Sequence, residues 1–255
     1  MASTAYVDLP DDRRIEFEVR TSARSKSIRL KITVRDGLIV TAPEGVARKR
    51  IAELVAGKGD WILARLNHFG DTRHLLGEHA PTRPQVFDLA AHAESWRVEY
   101  RETRGKTVGA CTDRMGRVLV FGAVSDPERC LAALRRWLAR RAKELLEPWI
   151  ESLSEQIGLK FDKLLIKAQR TRWGSCSTSR AISLNCKLLF LPKELVRYVL
   201  LHELCHTVAH NHSTRFRAMV RQFEPRADVL HGGMRDAWKL IPAWAHPTRT
   251  KTEGL

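Results

Sequence analysis

Alternating apolar and polar residues mark the first elements of the chain. In "RIEFEVR", Ile15, Phe17 and Val19 alternate with charged neighbours, and in "SIRLKITV" Ile28, Leu30, Ile32 and Val34 do the same. Both runs predict half-buried strands. Arg35-Asp36-Gly37 before "LIVTAP" predicts a hairpin return. After Pro43 the period becomes helical, with Ile51, Leu54 and Val55 on one face; "GKGD" at 57–60 interrupts it and "WILARLNHF" resumes it. Residues 70–85 hold Gly, His, Pro and Thr without a period and read as a loop.

Short strands are predicted at "QVFDL", "WRVEYRE" and "RVLVFG". "DPERCLAALRRWLARRAKELL" predicts a long amphipathic helix with Leu131, Leu134, Leu138 and Leu145 on one stripe. Asp126 suits its cap, Pro127 its first turn, and Pro148 should kink or end it. "KLLIKAQ" and "AISLNCKLLFL" read as strands, the second setting Ile182, Leu184, Cys186, Leu188 and Phe190 against Ser183, Asn185 and Lys187. Pro192 opens a further helix, and two more are expected near 213–223 and 226–240. No internal repeat is evident. The division expected is a β-hairpin plus helix module at 1–75, a larger domain at 76–245 and a disordered tail at 246–255.

Composition adds few constraints. With 255 residues, 44% hydrophobic and 29% charged, the chain has the make-up of an ordinary globular protein. It lacks a secretory start and any apolar run of the ~20 residues a membrane helix needs, so a cytoplasmic protein is expected. Five cysteines without a C-x-x-C pair fit reduced thiols. The net charge of +15, densest in "ALRRWLARRAKELL" and "KAQRTRW", permits a nucleic-acid partner through counterion release, or is only a solvated surface.

The chemistry concentrates in "LLHELCHTVAHNHSTRF". His202 and His206 are four apart, which on a helix is ~6 Å of rise and about one full turn, so both imidazoles share a face and can grip one ion. Glu203 lies ~100° round from His202, placed to act on a metal-held water without ligating. Val196, Val199 and Leu200 run an apolar face into these histidines, which suits a buried metal helix. His210 is ~12 Å further along a continued helix, too far to share the ion. A helix ending near 210 with reversal at Asn211 would bring His212 round as third ligand, and Ser213 could cap the next helix. Cys205 is off the shared face, and packing is its expected role.

These residues resemble the YgjP-like metallopeptidase domain family, related to the SprT-like zincins. The resemblance rests on "TRWGSCSTSRAISLNCKLLFLP" at 171–192, "YVLLHELCHTVAHNHSTRF" at 198–216 and "IPAW" at 241–244. It implies an α+β, zincin-like fold, one Zn2+ on His202, His206 and His212, and Glu203 as general base. Metzincins share the histidine spacing, but Ala209 stands where they have glycine.

The function expected is hydrolysis of peptide bonds through a zinc-bound water activated by Glu203, with peptides or proteins as substrates. The alternative is a basic nucleic-acid-associated protein with a structural or vestigial zinc site, or a SprT-like protease acting on DNA-bound proteins. "ISLN" reads as an edge strand that could pair a substrate, and Gly174 as a point of close backbone approach, giving Gly174, Ser183 and Asn185 as candidate substrate residues. A turn between two core strands is the other reading. His210, Tyr198, Arg215 and Asn185 are candidate oxyanion donors.

Overall fold

The alternating N-terminal runs do become strands. The structure is a computed structural model and describes residues 2–33, 37–68, 82–169 and 171–246. The chain splits into two compact units, Met1–Pro81 and Thr82–Leu255. In the first, β1 (Ala2–Asp8), β2 (Arg14–Thr21), β3 (Arg29–Thr33) and β4 (Gly37–Ala42) form a sheet of order β1-β2-β4-β3. Helices α1 (Arg48–Ala56) and α2 (Gly59–His68) follow, separated at the "GKGD" break. Ile15, Phe17 and Val19 pack with Leu38, Val40, Ile51, Val55, Ile62 and Leu66 in one core. The expected loop at 70–85 falls outside the described residues up to 81, as do the boundary expected at 75/76 and the tail from 247.

The second unit opens with β5 (Val86–Leu89), β6 (Glu94–Glu102), β7 (Val108–Thr112) and β8 (Val118–Gly122), in the order β5-β6-β8-β7. This is the topology of the first sheet repeated. In each, the first pair is antiparallel, the inner strands are parallel (Phe17↔Leu38 to Thr21↔Ala42, and Val98↔Val118 to Glu102↔Gly122), and an antiparallel hairpin completes the edge. A helix follows both. The sequence disclosed no such repeat because pairing pattern is shared while residue identity is not.

The helix after the second sheet is α3 (Pro127–Ile157). Asp126 caps it, accepting from the amides of Glu128 and Arg129. It continues through Pro148 instead of ending there, with Leu146, Ile150 and Leu153 buried along its inner face. That apolar anchoring outweighs the one hydrogen bond proline removes. The basic stretch of α3 is committed internally: Arg136 and Arg140 donate to the carbonyls of Val108 and Ala110 at 2.8 and 2.5 Å, capping the outer edge of β7. Arg135 holds the carbonyls of Trp244 and His246, both at 3.1 Å.

A third sheet joins β9 (Lys163–Lys167), β10 (Gly174–Cys176) and β11 (Ala181–Asn185) in the order β10-β11-β9. The strand expected to run to Phe190 stops at Asn185, and a 3-10 turn spans Cys186–Phe190. Ser183, Asn185 and Lys187 are buried with their apolar neighbours, so the two-faced reading of this run does not hold. Pro192 precedes α4 (Lys193–His206), then come α5 (Thr214–Phe223) and a short α6 (Ala227–Gly233), with 3-10 turns where 226–240 was read as one helix. Helices and sheets thus alternate without a single dominant layer, a mixed α and β fold. No helix among the described residues is long and apolar enough to cross a membrane.

Candidate metal centre

Burial of Val196, Val199, Leu200, Leu204 and Cys205 fixes the rotation of α4 against the core. The opposite consequence of that rotation is that Tyr198, His202 and His206, each one turn apart, share the remaining face. The helix stops at His206, four residues before the end expected near 210. Thr207 turns its hydroxyl back onto the Leu204 carbonyl at 2.7 Å, and the amides of Val208 and Ala209 both bond to the Cys205 carbonyl. The chain reverses over these residues and returns His212 to the helix face. Ser213 then caps α5 by accepting from the Phe216 amide at 3.4 Å.

Three imidazoles converge as a result. His202 Nε2 lies 3.1 Å from His212 Nε2 and 3.2 Å from His206 Nε2. His210 is exposed and stands outside the group, and Cys205 is fully buried among apolar side chains. Phe216 supports all three rings, with centroids 4.9, 4.3 and 5.0 Å from His202, His206 and His212.

The donor set fits a divalent metal. His206 Nδ1 donates to the Ala209 carbonyl at 2.9 Å, since a carbonyl can only accept, and this leaves Nε2 as a lone pair. Two nitrogens on one tetrahedral zinc at ~2.05 Å stand ~3.3 Å apart, close to the spacings above. Burial drives the His202 pKa down to about 3, helped by the neighbouring His206, His212 and His231, and burial also lowers that of His206. The His202 and His206 imidazoles are therefore held toward the neutral form, the form that ligates.

Glu203 is 5% exposed, and its Oε2 has no hydrogen-bond partner among the described residues. Burial pushes its pKa up to about 8, and the positive charge of Arg172 partly opposes the rise. Gly174 leaves the room Glu203 occupies: a Cβ there would stand 2.5 Å from Glu203 Oε1.

The substrate residues read from sequence are placed differently from one another. β11 is the middle strand of its sheet, so it is not an edge; β10 is. Ser183 is buried opposite Ser175. Asn185 is fully buried and donates to the carbonyls of Gln169 and Arg172 at 2.9 and 2.8 Å while accepting from the Lys187 amide at 3.2 Å. Only Gly174 reaches the centre. Trp173 and Ser177 bond to β11 through Asn185 and Ala181, so the alternating main-chain groups of Gly174 and Cys176 face the open side of β10.

Of the oxyanion candidates, Tyr198 alone is joined to the histidines: its ring lies 5.9 Å from that of His202, and its hydroxyl is 3.1 Å from His231 Nδ1. His210 and Arg215 are exposed. Sequence reasoning missed Arg172, Phe216 and His231. Phe216 carried a signal, an apolar residue four after His212; the other two carried none.

Three convergent histidines that could hold a metal ion thus stand beside a buried carboxylate. The profile of the YgjP-like, metallopeptidase domain family matches residues 26–236, and the chain belongs to that family. By family it is a metallopeptidase, a hydrolase with peptides or proteins as substrates. Among solved structures it is similar to the metallopeptidase zymogen of Pyrococcus abyssi abylysin, 26% identical over 35% of this chain and 91% of that chain, TM-score 0.33. It is also similar to the metallopeptidase zymogen of Methanocaldococcus jannaschii jannalysin, 20% identical over 35% and 92%, TM-score 0.32. No curated protein matches.

Proposed function

We propose that this chain is a zinc peptidase with a zincin-like catalytic domain over 76–245, in which His202, His206 and His212 hold the metal and Glu203 is the general base. The observation that carries the reading is the convergence of three Nε2 atoms beside a buried carboxylate, one oxygen of which has no partner among the described residues. Three protein ligands leave a position open, as catalysis requires. When bound, zinc supplies Lewis acidity to the scissile carbonyl and the attacking water.

Glu203 takes the water proton at Oε2 and returns it to the amine nitrogen as the C–N bond breaks. Tyr198 donates toward the developing oxyanion from the same helix face, held in place by His231. An extended substrate pairs with the open edge of β10 through the main chain of Gly174 and Cys176. Ser183 and Asn185 serve behind that edge, positioning it without touching substrate.

The test is cleavage of an unfolded protein by zinc-loaded wild type beside Glu203→Gln. Loss of cleavage with retention of metal is the expected outcome; undiminished cleavage in Glu203→Gln would remove the base from the mechanism.

A further inference from the structure

The first unit leaves one strand edge open beside an apolar cavity. In the order β1-β2-β4-β3, β1 is an edge, and its outer side carries no main-chain hydrogen bond among the described residues. The other edges are short or guarded. β3 has exposed Arg29 and Lys31, β9 has exposed Lys163 and Lys167, and β7 is capped by the arginines of α3. β5 and β10 have four and three residues. β1 has seven, with no Lys, Arg or Pro among them. A long edge without such protection invites another strand.

β1, β2 and α1 line a cavity of about 100 Å³ that opens to solvent. It follows from side-chain size: Ala5, paired with Phe17, and Ala52 on α1 both line it, and each brings only a methyl group. Phe17, Val19 and Ile51 form a buried apolar floor, while Thr4, Arg48 and Ala52 at the rim are exposed. Arg48 makes no ion pair among the described residues. A strand added along β1 sets alternate side chains on the inner face of the sheet, under α1. Since ~150 Å³ admits benzene, this smaller space takes a branched aliphatic side chain and rejects an aromatic ring. The opening lies at Thr4 and Ala5, the middle of β1, so a paired segment runs past it in both directions. The group it brings to Arg48 is therefore an acidic side chain and not a chain terminus. A second copy of the chain does not fill the space, because β1 offers only Ala5, too small, and Val7, already buried.

We propose that the first unit is a docking module for extended polypeptide. It takes a segment as a strand on β1, seats a Val, Ile or Leu side chain in the cavity, and pairs Arg48 with an Asp or Glu two positions away on the same face. Main-chain hydrogen bonds supply affinity and the cavity supplies selection. For a metallopeptidase the segment belongs to the polypeptide substrate. The metal centre takes no part, so the docking stands or falls apart from the reading of Glu203 and the histidines.

Anisotropy of fluorescein-labelled peptides titrated with the full-length protein tests this, with mass analysis to show each peptide intact. The host is a Thr/Ser peptide with Glu-Thr-Ile-Thr-Glu at its centre, which serves either strand direction. Two further peptides replace Ile by Phe, or both Glu by Gln. The host should bind at least roughly tenfold more tightly than either. Ala52→Leu fills the cavity and should weaken the host to the level of the Phe peptide. Arg48→Gln should remove the preference for Glu over Gln while keeping that for Ile over Phe. Both side chains are exposed on α1, and unchanged thermal melts verify the fold. No binding by the host, equal affinity for Ile and Phe, or host binding that survives Ala52→Leu overturns the proposal. So does a dimer in sedimentation that Ala52→Leu dissociates, because the occupant is then a second copy.

Discussion

Gly174 and Glu203 are in contact across the β10–α4 junction, and the contact exists only because position 174 has no side chain. A Cβ would stand 2.5 Å from Oε1, 2.6 Å from Cγ and 2.8 Å from Cδ of Glu203. A buried carboxylate cannot swing far, so Gly174→Ala must displace either it or the strand. The expected result is a fall in kcat of about a hundredfold, with KM and bound metal little changed, and a stability loss of ~1–3 kcal/mol from overpacking. Paired kinetics and metal analysis on the one variant check it; a fully active Gly174→Ala would mean that Glu203 need not sit where it does.

Asn185 should behave as a structural residue. Truncation to Ala leaves the Gln169 and Arg172 carbonyls and the Lys187 amide without their partner in a fully buried place. The cost is about 2–4 kcal/mol in denaturant unfolding. A variant of unchanged stability with impaired substrate binding would instead return Asn185 to the cleft.

The histidine site was legible in sequence to an uneven depth. The spacing of His202 and His206 needs only helix geometry, and Ser213 announces the next helix. The early stop at His206 was not legible, because "TVA" at 207–209 contains no helix breaker; the stop comes from a side-chain hydroxyl and a histidine bonding local carbonyls. Apolar alternation shows that "ISLN" is a strand but is silent on which strands flank it, hence the edge that proved central. β7 was missed since "VGACT" is short and small; its edge is sheltered by arginines from α3, a tertiary fact. The position of His231 beside the centre is likewise a product of the whole fold.

The metal-free protein should show a pH signature of Glu203. Its folded pKa, about 8, lies above the ordinary carboxylate value of 4.5, so between those values the native state binds the extra proton. Stability from this group is present below about pH 4.5 and is lost as pH rises through about 8. Glu203→Gln removes the loss. Apo Glu203→Gln should exceed apo wild type in stability at pH 8 by on the order of 2 kcal/mol, the gap closing toward pH 5. Denaturant melts of both proteins in chelator at the two pH values decide it. A constant gap would mean that burial does not hold this carboxyl protonated.

Tyr198→Phe removes one hydroxyl from the helix face and leaves the ring beside His202. Transition-state stabilisation predicts kcat reduced by about ten- to a hundredfold at unchanged KM and metal content. His231→Ala should reproduce part of that loss through a less ordered hydroxyl. An effect on KM alone would place Tyr198 in substrate binding.

The central claim is that three histidines, and not Glu203, hold one metal. Metal content and zinc affinity of wild type, His212→Ala and Glu203→Gln, each stripped and reconstituted, test it most directly. The account predicts one zinc per chain in wild type, affinity at least about a hundredfold lower in His212→Ala, and affinity near wild type in Glu203→Gln. Unchanged zinc in His212→Ala, or its loss in Glu203→Gln, would contradict the ligand set and the mechanism built on it.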